Sequence, residues 1–472
     1  PMVAMEAMEA GINKPLAEGL AAERKATRKV FGSPVAANLI SIFFHTTQLK
    51  SDPGVDDASI EPMSVGRVGV IGAGLMGSGI ATACARRGLA ATMMDLDAER
   101  LEKGMAAAQK VVESRIKIGR ATPKDMVAML SRLSTTTDTA AQAGADLIVE
   151  AVTEDLELKK KVFGGLNGVV GPETIVASNT STLSITAMAD HAPDAARFVG
   201  MHFFSPVDRM ELVEVIRGER TSDRTVATVV AAAKRIGKTP IVVGDCPGFC
   251  VNRLLMPYMA EALLLLVGGI DMDRIDRVAV RFGMPMGPIA LYDLVGIDVG
   301  YYAGGVMAEG YADRAVPLPP VLKAMMDAGR LGQKSGRGFR AYDKKGKPVP
   351  DPEVHQILEP HVEGHLDLGD EQILDRLFGC MALEAARAMD ERIVRSPGHL
   401  DMAMILGTGY PPFRGGPLKW MDDQGLSALL ERWKPLAELG ARFQPPESLV
   451  EMAKEGRTFH RRPEAVAGAE DR

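Results

Sequence analysis

Cysteine and aromatic side chains are scarce in this chain. Its 472 residues include four cysteines, and Phe, Trp and Tyr together make up 5%. The cysteines have neither the paired C-x-x-C spacing of a zinc site nor the arrangement of a disulfide framework. They are Cys84, Cys246, Cys250 and Cys380. The composition therefore predicts a reducing, cytoplasmic environment and no metal site.

An excess of positive charge and a long apolar run are also absent from the sequence. The net charge is −6, which argues against a nucleic-acid partner because phosphate binding needs a basic surface. The most apolar segment, around 263–267, is far shorter than the roughly 20 residues that cross a bilayer. The first residues lack the basic and apolar parts of a signal peptide. We therefore expect neither nucleic-acid binding nor a transmembrane segment.

The order of apolar and polar segments predicts several domains. The first residues look helical and end in a linker rich in Asp, Ser and Pro, from Ser51 to Ser64. Short β-branched runs then alternate with helical segments, which predicts a Rossmann-type, doubly wound parallel sheet. Beyond Asp245 the pattern is helical, with almost no strand signal. The predicted parts are residues 1–63, 64–245, 246–347 and 348–472.

The helical half contains an internal repeat. Asn252-Arg253-Leu254 and Glu261-Ala262 recur as Asp375-Arg376-Leu377 and Glu384-Ala385, and further matched pairs follow in both segments. A repeated sequence indicates a repeated structural unit. We therefore expect a duplicated all-helical domain whose second copy is degenerate and ends in a tail. Because only the first copy has the asparagine, we expect one copy to serve chemistry and the other packing.

The most informative segment is a glycine-rich run, Val68-Gly69-Val70-Ile71-Gly72-Ala73-Gly74-Leu75-Met76-Gly77. A β-branched strand ends in G-x-G-x-x-G, a small-residue helix is expected over 78–87, and a second strand leads to Asp95. Such glycines make a tight turn, admit a pyrophosphate and let helix and strand pack closely. Asp95 would bind the adenosine ribose and repel a 2′-phosphate. The run therefore predicts NAD rather than NADP as the cofactor.

One histidine and one glutamate are candidates for acid–base chemistry. His202 lies in an apolar strand, and Glu214 interrupts the apolar strand that follows it. A bend over 206–210 could fold the second strand beside the first and bring the two side chains together. A carboxylate partner fixes the tautomer of a histidine and raises its basicity. A lone histidine is more often a hydrogen-bonded core residue, but a buried glutamate rarely lacks a partner.

Polar side chains follow two further strands. Ser178-Asn179-Thr180-Ser181-Thr182 comes after one strand and is typical of a ligand site or of a helix N-cap. Glu154 and Lys159 follow the strand 147–152, at the edge where a dinucleotide would lie. The start of a solvated helix explains these two residues equally well.

Taken together, the motifs resemble the L-3-hydroxyacyl-CoA dehydrogenases, and specifically the dehydrogenase portion of multifunctional fatty acid oxidation α-subunits. The duplicated helical domain is similar to those subunits rather than to the short monofunctional enzymes. The resemblance covers about 65–420. The motifs that carry it are Gly72-Ala73-Gly74-Leu75-Met76-Gly77, Ser178-Asn179-Thr180-Ser181, His202-Phe203-Phe204-Ser205-Pro206, Gly248-Phe249-Cys250-Val251-Asn252-Arg253 and Gly332-Gln333-Lys334-Ser335-Gly336-Arg337-Gly338-Phe339.

The resemblance implies a role for each candidate residue. His202 takes the proton of the substrate's 3-hydroxyl group and Glu214 orients His202, while Ser181 and Asn252 hold the 3-oxygen and the thioester end. The residues that it places at the cofactor are Gly72, Gly74, Met76, Gly77, Asp95, Glu154, Lys159, Ser181, Ser205 and Lys334. The family usually has asparagine where this chain has Ser205. Because serine reaches less far, we expect an altered affinity for NAD.

The resemblance also implies partners and a missing domain. It implies a 3-hydroxyacyl-CoA substrate, a thiolase β-subunit and a homodimer. Residues 1–50 resemble only the tail and connecting helix of the family's hydratase domain, so we expect this chain not to hydrate enoyl-CoA. We expect the apolar face of that tail to pack against the duplicated helical half. The face consists of Leu39, Ile40, Phe43 and Phe44.

Two other functions are consistent with the residues. One is an NAD-dependent dehydrogenase of a hydroxy acid that carries no CoA, which activity on acyl-CoA compared with free acids would distinguish. A sugar-nucleotide oxidiser of this kind needs a catalytic cysteine, and the turn around 246–250 does not obviously present one. The other is a scaffold that binds NAD without turnover. The presence of His202, Glu214, Ser181 and Asn252 together argues against the scaffold.

Overall fold

The computed structural model describes residues 2–315 and 318–460. The end of the predicted fourth part, 461–472, lies outside the described residues. The strands are β1 (Arg67–Ile71), β2 (Ala90–Met94), β3 (Leu133–Thr136), β4 (Leu147–Glu150), β5 (Ile175–Ser178), β6 (Phe198–Phe203), β7 (Leu212–Arg217), β8 (Thr239–Gly244), β9 (Ala341–Tyr342) and β10 (Pro348–Val349).

Helices precede the sheet, alternate with its strands and make up most of the rest. The helices up to the last strand of the large sheet are α1 (Met2–Gly11), α2 (Leu16–Phe31), α3 (Pro34–Ser51), α4 (Leu75–Arg86), α5 (Ala98–Lys117), α6 (Pro123–Leu130), α7 (Leu156–Gly164), α8 (Ile185–Met188) and α9 (Asp223–Arg235). Those after it are α10 (Val251–Val267), α11 (Met272–Phe282), α12 (Pro288–Val295), α13 (Ile297–Gly310), α14 (Val321–Asp327), α15 (Glu353–Leu358), α16 (Asp370–Asp390), α17 (Pro397–Thr408), α18 (Pro417–Gln424), α19 (Leu426–Trp433) and α20 (Glu447–Lys454).

The large sheet has eight strands in the order β3-β2-β1-β4-β5-β6-β7-β8. The strands from β3 to β6 are parallel, β7 runs antiparallel to β6, and β8 is parallel to β7. This confirms the predicted Rossmann-type sheet, extended by the pair β7 and β8. The chain reverses its direction of winding between β1 and β4, and ligands of such sheets bind at the carboxyl ends of the strands at that point.

The helical half repeats the same contacts in two places. Arg253 on α10 donates to Glu384 on α16 at 2.8 Å, and Arg376 on α16 donates to Glu261 on α10 at 2.5 Å. All four side chains are buried. Two reciprocal ion pairs thus join the buried faces of α10 and α16. In each of them the arginine comes from one copy of the repeat and the glutamate from the other.

A second set of repeated contacts involves buried aspartates. Asp276 accepts hydrogen bonds from the first amides of α12, and Asp401 accepts them from the first amides of α18. Asp293 likewise accepts from Phe339 N and Arg340 N, and Asp422 accepts from Phe459 N and His460 N. The two segments therefore share one pattern of backbone contacts as well as one sequence pattern.

The N-terminal helices are attached to the rest of the chain through α3. Helices α1 and α2 have no buried residues. On α3, Asn38 donates to Phe413 O at 3.1 Å and to Asp423 Oδ2 at 2.9 Å, and the ring of His45 lies 5.8 Å from that of His460. Helix α3 therefore packs against the second helical copy, as expected from the sequence.

The face of α3 that makes this contact differs from the expectation. Leu39, Ile40, Phe43 and Phe44 are 47%, 41%, 66% and 63% exposed. The buried residues of α3 are Asn38 and Leu49. The expectation for the apolar face was therefore wrong, because the helix docks through its other side, which carries Asn38, Leu49 and the partly buried Ile42. None of the described helices is long and apolar enough to pass through a bilayer.

Candidate active site

The glycine-rich loop joins β1 to α4 at the point where the sheet reverses its winding. Gly72 has φ +102°, and a Cβ there would lie 2.6 Å from the carbonyl oxygen of Ala151. A Cβ on Gly77 would lie 1.8 Å from the oxygen of Gly72, so loop and helix are too close for a side chain. At Gly74 no described atom lies within 4 Å of the Cβ position. The loop therefore has the close packing and the open approach that a pyrophosphate needs.

Helix α4 begins earlier than the sequence indicated. Its first residue is Leu75 rather than Ser78, since the amide of Ser78 already bonds to the oxygen of Gly74 at 2.9 Å. Met76, a predicted cofactor residue, therefore lies in the first helical turn and is half-buried. The amides of this turn face the loop, where a helix N-terminus stabilises negative charge.

Asp95 lies beyond the end of β2 and braces the glycine loop. Its Oδ2 accepts a hydrogen bond from Ala73 N at 2.9 Å, and its Oδ1 accepts one from Asp97 N at 3.1 Å. The carboxylate is half-buried at the edge of the sheet. This is the position of the ribose-binding acid in dinucleotide folds. The loop and Asp95 together fit NAD.

His202 and Glu214 face each other on the antiparallel strands β6 and β7. Nδ1 of His202 lies 2.8 Å from Oε2 of Glu214, and both side chains are buried. A carboxylate at this position places the proton of a neutral imidazole on Nδ1 and leaves Nε2 as the acceptor. Among the described residues, no hydrogen bond involves Nε2. The pair is therefore arranged for acid–base chemistry at Nε2.

The second oxygen of Glu214 is held by the helical half. Its Oε1 accepts hydrogen bonds from Cys250 N at 3.0 Å and from Val251 N at 2.9 Å, where α10 begins. Gly248 and Phe249 have φ values of +71° and +57°, a left-handed turn that directs these amides at the carboxylate. Positive φ at a phenylalanine is uncommon and costs free energy, which the surrounding contacts must offset. The contact between the two domains therefore fixes the orientation of the carboxylate.

Ser181 and Asn252 come together from the two domains. Asn252, on the first turn of α10, donates from Nδ2 to the carbonyl oxygen of Ser181 at 3.3 Å. Asn179, two residues earlier, accepts a hydrogen bond from Phe203 N at 2.9 Å and so ties this loop to the end of β6. The loop after β5, the histidine strand and α10 thus converge on one cleft. Asn179 was only part of a polar run in the sequence, and nothing there indicated its specific partner.

Glu154 organises the loop that carries Ser181. Its Oε1 accepts hydrogen bonds from the Thr180 hydroxyl at 2.6 Å and from Ser181 N at 2.8 Å. Lys159 Nζ lies 3.3 Å from its other oxygen. Although burial acts to raise the pKa of Glu154, the charge of Lys159 and the hydrogen bond from Thr180 lower it overall. The carboxylate is therefore held ionised beside the cleft.

Lys159 lies beneath the cleft rather than in it. Its side chain is 1% exposed, and Nζ lies 2.7 Å from Oε1 of Glu150, which is fully buried. The other oxygen of Glu150 accepts a hydrogen bond from the Ser178 hydroxyl at 2.6 Å. Lys159 thus connects two carboxylates that support the loops after β4 and β5. Sequence reasoning missed Glu150, since it lay inside the predicted strand 147–152 and nothing distinguished it there.

The last two predicted cofactor residues occupy different places. Ser205 is exposed directly after β6, close in sequence to His202. Lys334 lies in the helical half, where Nζ is 2.5 Å from Oδ1 of Asp298 on α13. Within residues 2–315 and 318–460, no hydrogen bond or ion pair joins Lys334 to the large sheet. The predicted site residues other than Lys334 therefore lie at the carboxyl edge of the sheet or on α4, α7 and α10, the helices that begin there.

The thiols of the two cysteines nearest the site have low reactivity. Cys250 is buried, Cys246 is half-buried, and burial raises the pKa of both thiols. A thiol with a raised pKa has little of the thiolate that acts as a nucleophile. The geometry therefore does not support a dehydrogenase that uses a catalytic cysteine.

Comparison with known families finds two consecutive matches in this chain. Residues 67–246 match the family described as 3-hydroxyacyl-CoA dehydrogenase, NAD binding domain, and residues 248–342 match 3-hydroxyacyl-CoA dehydrogenase, C-terminal domain. The first match contains the glycine loop, Asp95, His202 and Glu214. The second begins in the turn that holds Glu214.

Curated relatives are similar over nearly the whole chain. The Fatty acid oxidation complex subunit alpha of Psychrobacter arcticus is 40% identical over 466 residues, which cover 98% of this chain and 64% of the relative. That of Pseudomonas aeruginosa is 40% identical over 464 residues, which cover 97% of this chain and 65% of the relative. The chain thus spans slightly less than two thirds of the length of these relatives.

Solved structures give the same family. A 3-hydroxybutyryl-CoA dehydrogenase from Escherichia coli has a TM-score of 0.74 at 28% identity and covers 84% of this chain and 99% of its own. A (S)-3-hydroxybutyryl-CoA dehydrogenase from Ralstonia eutropha has a TM-score of 0.57 at 41% identity and covers 60% of this chain and 100% of its own. The fold, the paired domains and these similarities together show that the chain belongs to the 3-hydroxyacyl-CoA dehydrogenase family, whose first domain binds NAD.

Proposed function

We propose that this chain oxidises L-3-hydroxyacyl-CoA to 3-oxoacyl-CoA with NAD, as a step in fatty acid β-oxidation. The observation that carries the proposal is the buried pair of His202 Nδ1 and Glu214 Oε2, at 2.8 Å, next to a loop shaped for a dinucleotide. The names of the curated relatives support the assignment to fatty acid oxidation. The same names support a β-oxidation substrate rather than a free hydroxy acid.

In this proposal His202 is the general base. Nε2 takes the proton of the 3-hydroxyl group, and Glu214 stabilises the imidazolium that forms while keeping the ring in place. Because Oε1 of Glu214 is bound by two backbone amides at 2.9–3.0 Å, the carboxylate cannot rotate away when the ring becomes charged. Bound NAD supplies the acceptor for the hydride that leaves C3.

The remaining residues bind and orient. Ser181 and Asn252 hold the 3-oxygen and the thioester end, which fixes C3 in the cleft between the two domains. Asp95 binds the adenosine ribose, and Ser205 binds the carboxamide end of the cofactor. Glu154 positions Ser181 directly, and Lys159 acts through Glu154 because its ammonium is buried. The resemblance also assigns Lys334 to the cofactor, and in this structure its ammonium is paired with Asp298.

A spectrophotometric assay tests the proposal. The purified chain should oxidise NADH when acetoacetyl-CoA is supplied, and free acetoacetate should not support the reaction at the same rate. Equal activity on the free acid would instead favour a dehydrogenase that does not need CoA. NADH binding without turnover of either compound would favour the non-catalytic scaffold.

We further propose the assembly and the location that the resemblance implies. The curated relatives are named as α-subunits of a complex, and we propose a thiolase β-subunit as the partner of this chain and a homodimer as its own association. Co-expression with a thiolase and measurement of the mass of the purified species test both. We propose a cytoplasmic location, which fractionation of the producing cells tests.

A further inference from the structure

The turn between β8 and α10, residues 245–250, contacts both members of the proposed catalytic pair. Its last amide and the first amide of α10 donate to Oε1 of Glu214 at 3.0 and 2.9 Å. The ring of Phe249, which is fully buried, lies 5.8 Å from the ring of His202. A displacement of the 245–250 turn would therefore change the surroundings of the imidazole and of the carboxylate together.

The second helical copy contacts the residues just before this turn through the segment that follows α16, residues 391–394. Gly244 N, at the end of β8, donates to Ile393 O at 2.7 Å. Val243 and Val394 form an antiparallel bridge beside this bond. The 391–394 segment thus extends the end of β8 and fixes the point at which the 245–250 turn begins.

The same segment holds the residues just after the turn through Arg253, on the first turns of α10. The guanidinium of Arg253 forms a fork with Glu391, with Nη1 2.7 Å from Oε2 and Nη2 2.8 Å from Oε1. Burial acts to lower the pKa of Arg253, but the bonds to Glu391 and the charge of Glu384 raise it overall. A fork between arginine and carboxylate fixes direction as well as distance. The side chain of Arg253 is therefore held in one orientation by the second copy.

Arg253 in turn contacts the groups that support the outer side of the 245–250 turn. Its Nη1 lies 3.9 Å from the sulfur of Cys246, whose thiol donates to Phe249 O at 3.2 Å. Its guanidinium also lies 5.0 Å from the ring centre of Tyr311, whose hydroxyl donates to Pro247 O at 2.8 Å. Two carbonyl groups of the turn are thus held from outside by side chains that adjoin the guanidinium. The amides at the end of the turn are directed inward, at the buried carboxylate.

The backbone of the 391–394 segment has an uncommon conformation. Arg392 has φ +56°, in the left-handed region that residues with a side chain rarely adopt. On either side of it, Glu391 contacts Arg253 and Ile393 contacts Gly244. A conformation of this kind costs free energy and persists only where surrounding contacts offset the cost. The segment therefore holds the 245–250 turn at both ends through closely spaced residues.

We propose that Glu391 is a positioning residue for His202 and Glu214, acting through Arg253 and the 245–250 turn. The proposal rests on the proposed dehydrogenase function and gives the second copy, for which the sequence predicted packing, a part in the reaction. When the turn is displaced, its amides no longer hold Oε1 of Glu214, and the carboxylate is free to rotate. The imidazolium that forms during the reaction is then less well stabilised.

Replacing Glu391 by glutamine tests the proposal, because it keeps the size of the side chain and removes the charge. The kcat for reduction of acetoacetyl-CoA should fall roughly fivefold to tenfold, the order expected when a supporting hydrogen bond is lost. The KM for NADH should stay unchanged, because β4, β5 and β6 separate the glycine loop after β1 from β7. Asp370→Asn is the matched control at the other end of α16. Asp370 is 45% exposed, against 46% for Glu391, and its partners are Arg274 and Arg281 on α11.

The imidazole proton of His202 gives a second measurement, which a loss of stability alone does not change. In protein labelled with ¹⁵N-histidine, the proton between Nδ1 and Glu214 should give a resonance downfield of the amides, identified by its absence in His202→Gln. In Glu391→Gln this resonance should move upfield or broaden, because a loosened carboxylate makes a longer and weaker hydrogen bond. In Asp370→Asn it should stay where it is in the wild type.

The resonance decides between positioning and mere stabilisation. A folded Glu391→Gln chain with the wild-type resonance would overturn the positioning role, even if its kcat or its stability were lower. If Glu391→Gln fails to fold, Glu391→Asp replaces it, because aspartate keeps the charge on a side chain that is one carbon shorter. This variant should shift the resonance in the same direction by less, and no shift would again reject the proposal. A wild-type chain inactive on acetoacetyl-CoA would overturn the dehydrogenase proposal, and the resonance would still decide whether Glu391 positions the pair.

Discussion

His202 and Glu214 meet because the chain turns back within a few residues between β6 and β7. Lys238 supports that turn, since its ammonium donates to the carbonyl oxygen of Met210 at 2.6 Å and to that of Val207. The register of the two strands then places the imidazole and the carboxylate opposite each other. The geometry of the proposed catalytic pair therefore depends on backbone pairing as well as on the two side chains.

At this scale the first prediction concerns His202. Replacing it by glutamine keeps the size of the side chain but removes the base, so turnover of acetoacetyl-CoA should fall by roughly 10²–10⁴-fold. Binding of NADH, measured by titration calorimetry, should stay unchanged. His365→Gln is the control, because His365 is exposed in the helical half. A His202→Gln enzyme with near wild-type turnover would contradict the assignment.

The second prediction concerns the choice of cofactor. Asp95→Asn keeps an oxygen that can accept the hydrogen bond from Ala73 N but removes the negative charge. The preference for NAD over NADP should therefore narrow, because the repulsion of the 2′-phosphate is gone. The ratio of kcat/KM values for the two cofactors measures this. If the wild type already uses both equally, Asp95 does not bind the ribose.

The third prediction is a dependence of stability on pH. Burial lowers the pKa of Lys238 to about 8 from the ordinary value of 10.5. Between these two pH values the unfolded chain binds a proton that the folded chain does not, so the free energy of unfolding should rise with pH there. In urea titrations at several pH values, the free energy of unfolding of Lys238→Met should lack this part of the rise. Lys103→Met, which changes an exposed lysine, should keep it. If the free energy of unfolding changes with pH in the same way in the wild type and both variants, the prediction is refuted.

Much of the site could be predicted from the sequence because its parts are short and local. The glycine loop, Asp95 and the polar run after β5 are contiguous or follow strand ends. The pairing of His202 with Glu214 could be predicted because a single bend between their two strands brings them together. The amides of Cys250 and Val251 could not be predicted, because their direction depends on the backbone of a turn in the next domain. The burial of Lys159 depends likewise on Glu150 from another strand, which residue types alone do not reveal.

At the scale of elements, β3 and β8 are the strands whose sequences indicate a strand least clearly, because their apolar patterns are weak. Only Leu133 is buried in the edge strand β3, whose other residues are a serine and two threonines. Strand β8 begins Thr239-Pro240, and proline is uncommon inside sheets. The central strands were predicted because both of their faces are buried and apolar. The boundaries of the four proposed domains stay a prediction, which limited proteolysis can check.

Helix α3 gives the fourth prediction. Deleting residues 1–32 removes α1 and α2, which have no buried residues, and should leave the melting temperature nearly unchanged. Deleting residues 1–51 also removes α3, with its buried Asn38 and Leu49. The free energy of unfolding should then fall by on the order of 2–4 kcal/mol. Equal melting temperatures for the two truncated chains would show that α3 does not stabilise the fold.

The whole molecule gives the fifth prediction. Among the described residues, those before the large sheet form three helices and a linker, and we propose no hydratase active site in them. The purified chain should therefore reduce acetoacetyl-CoA without hydrating crotonyl-CoA, which loss of the enoyl-thioester absorbance would reveal. A hydratase of known activity, added to the same cuvette, is the positive control. Measurable hydration by the chain alone would reject the prediction.

The reciprocal ion pairs between α10 and α16 have a consequence for behaviour on dilution. In a chain with one helical copy, a contact between two such helices would require a second molecule and would weaken as the protein is diluted. Here both helices belong to one chain, so their effective concentration is set by the connecting residues and not by the amount of protein. The helix that carries Asn252 and orients Glu214 is therefore supported equally in a dilute assay and in a crowded cell.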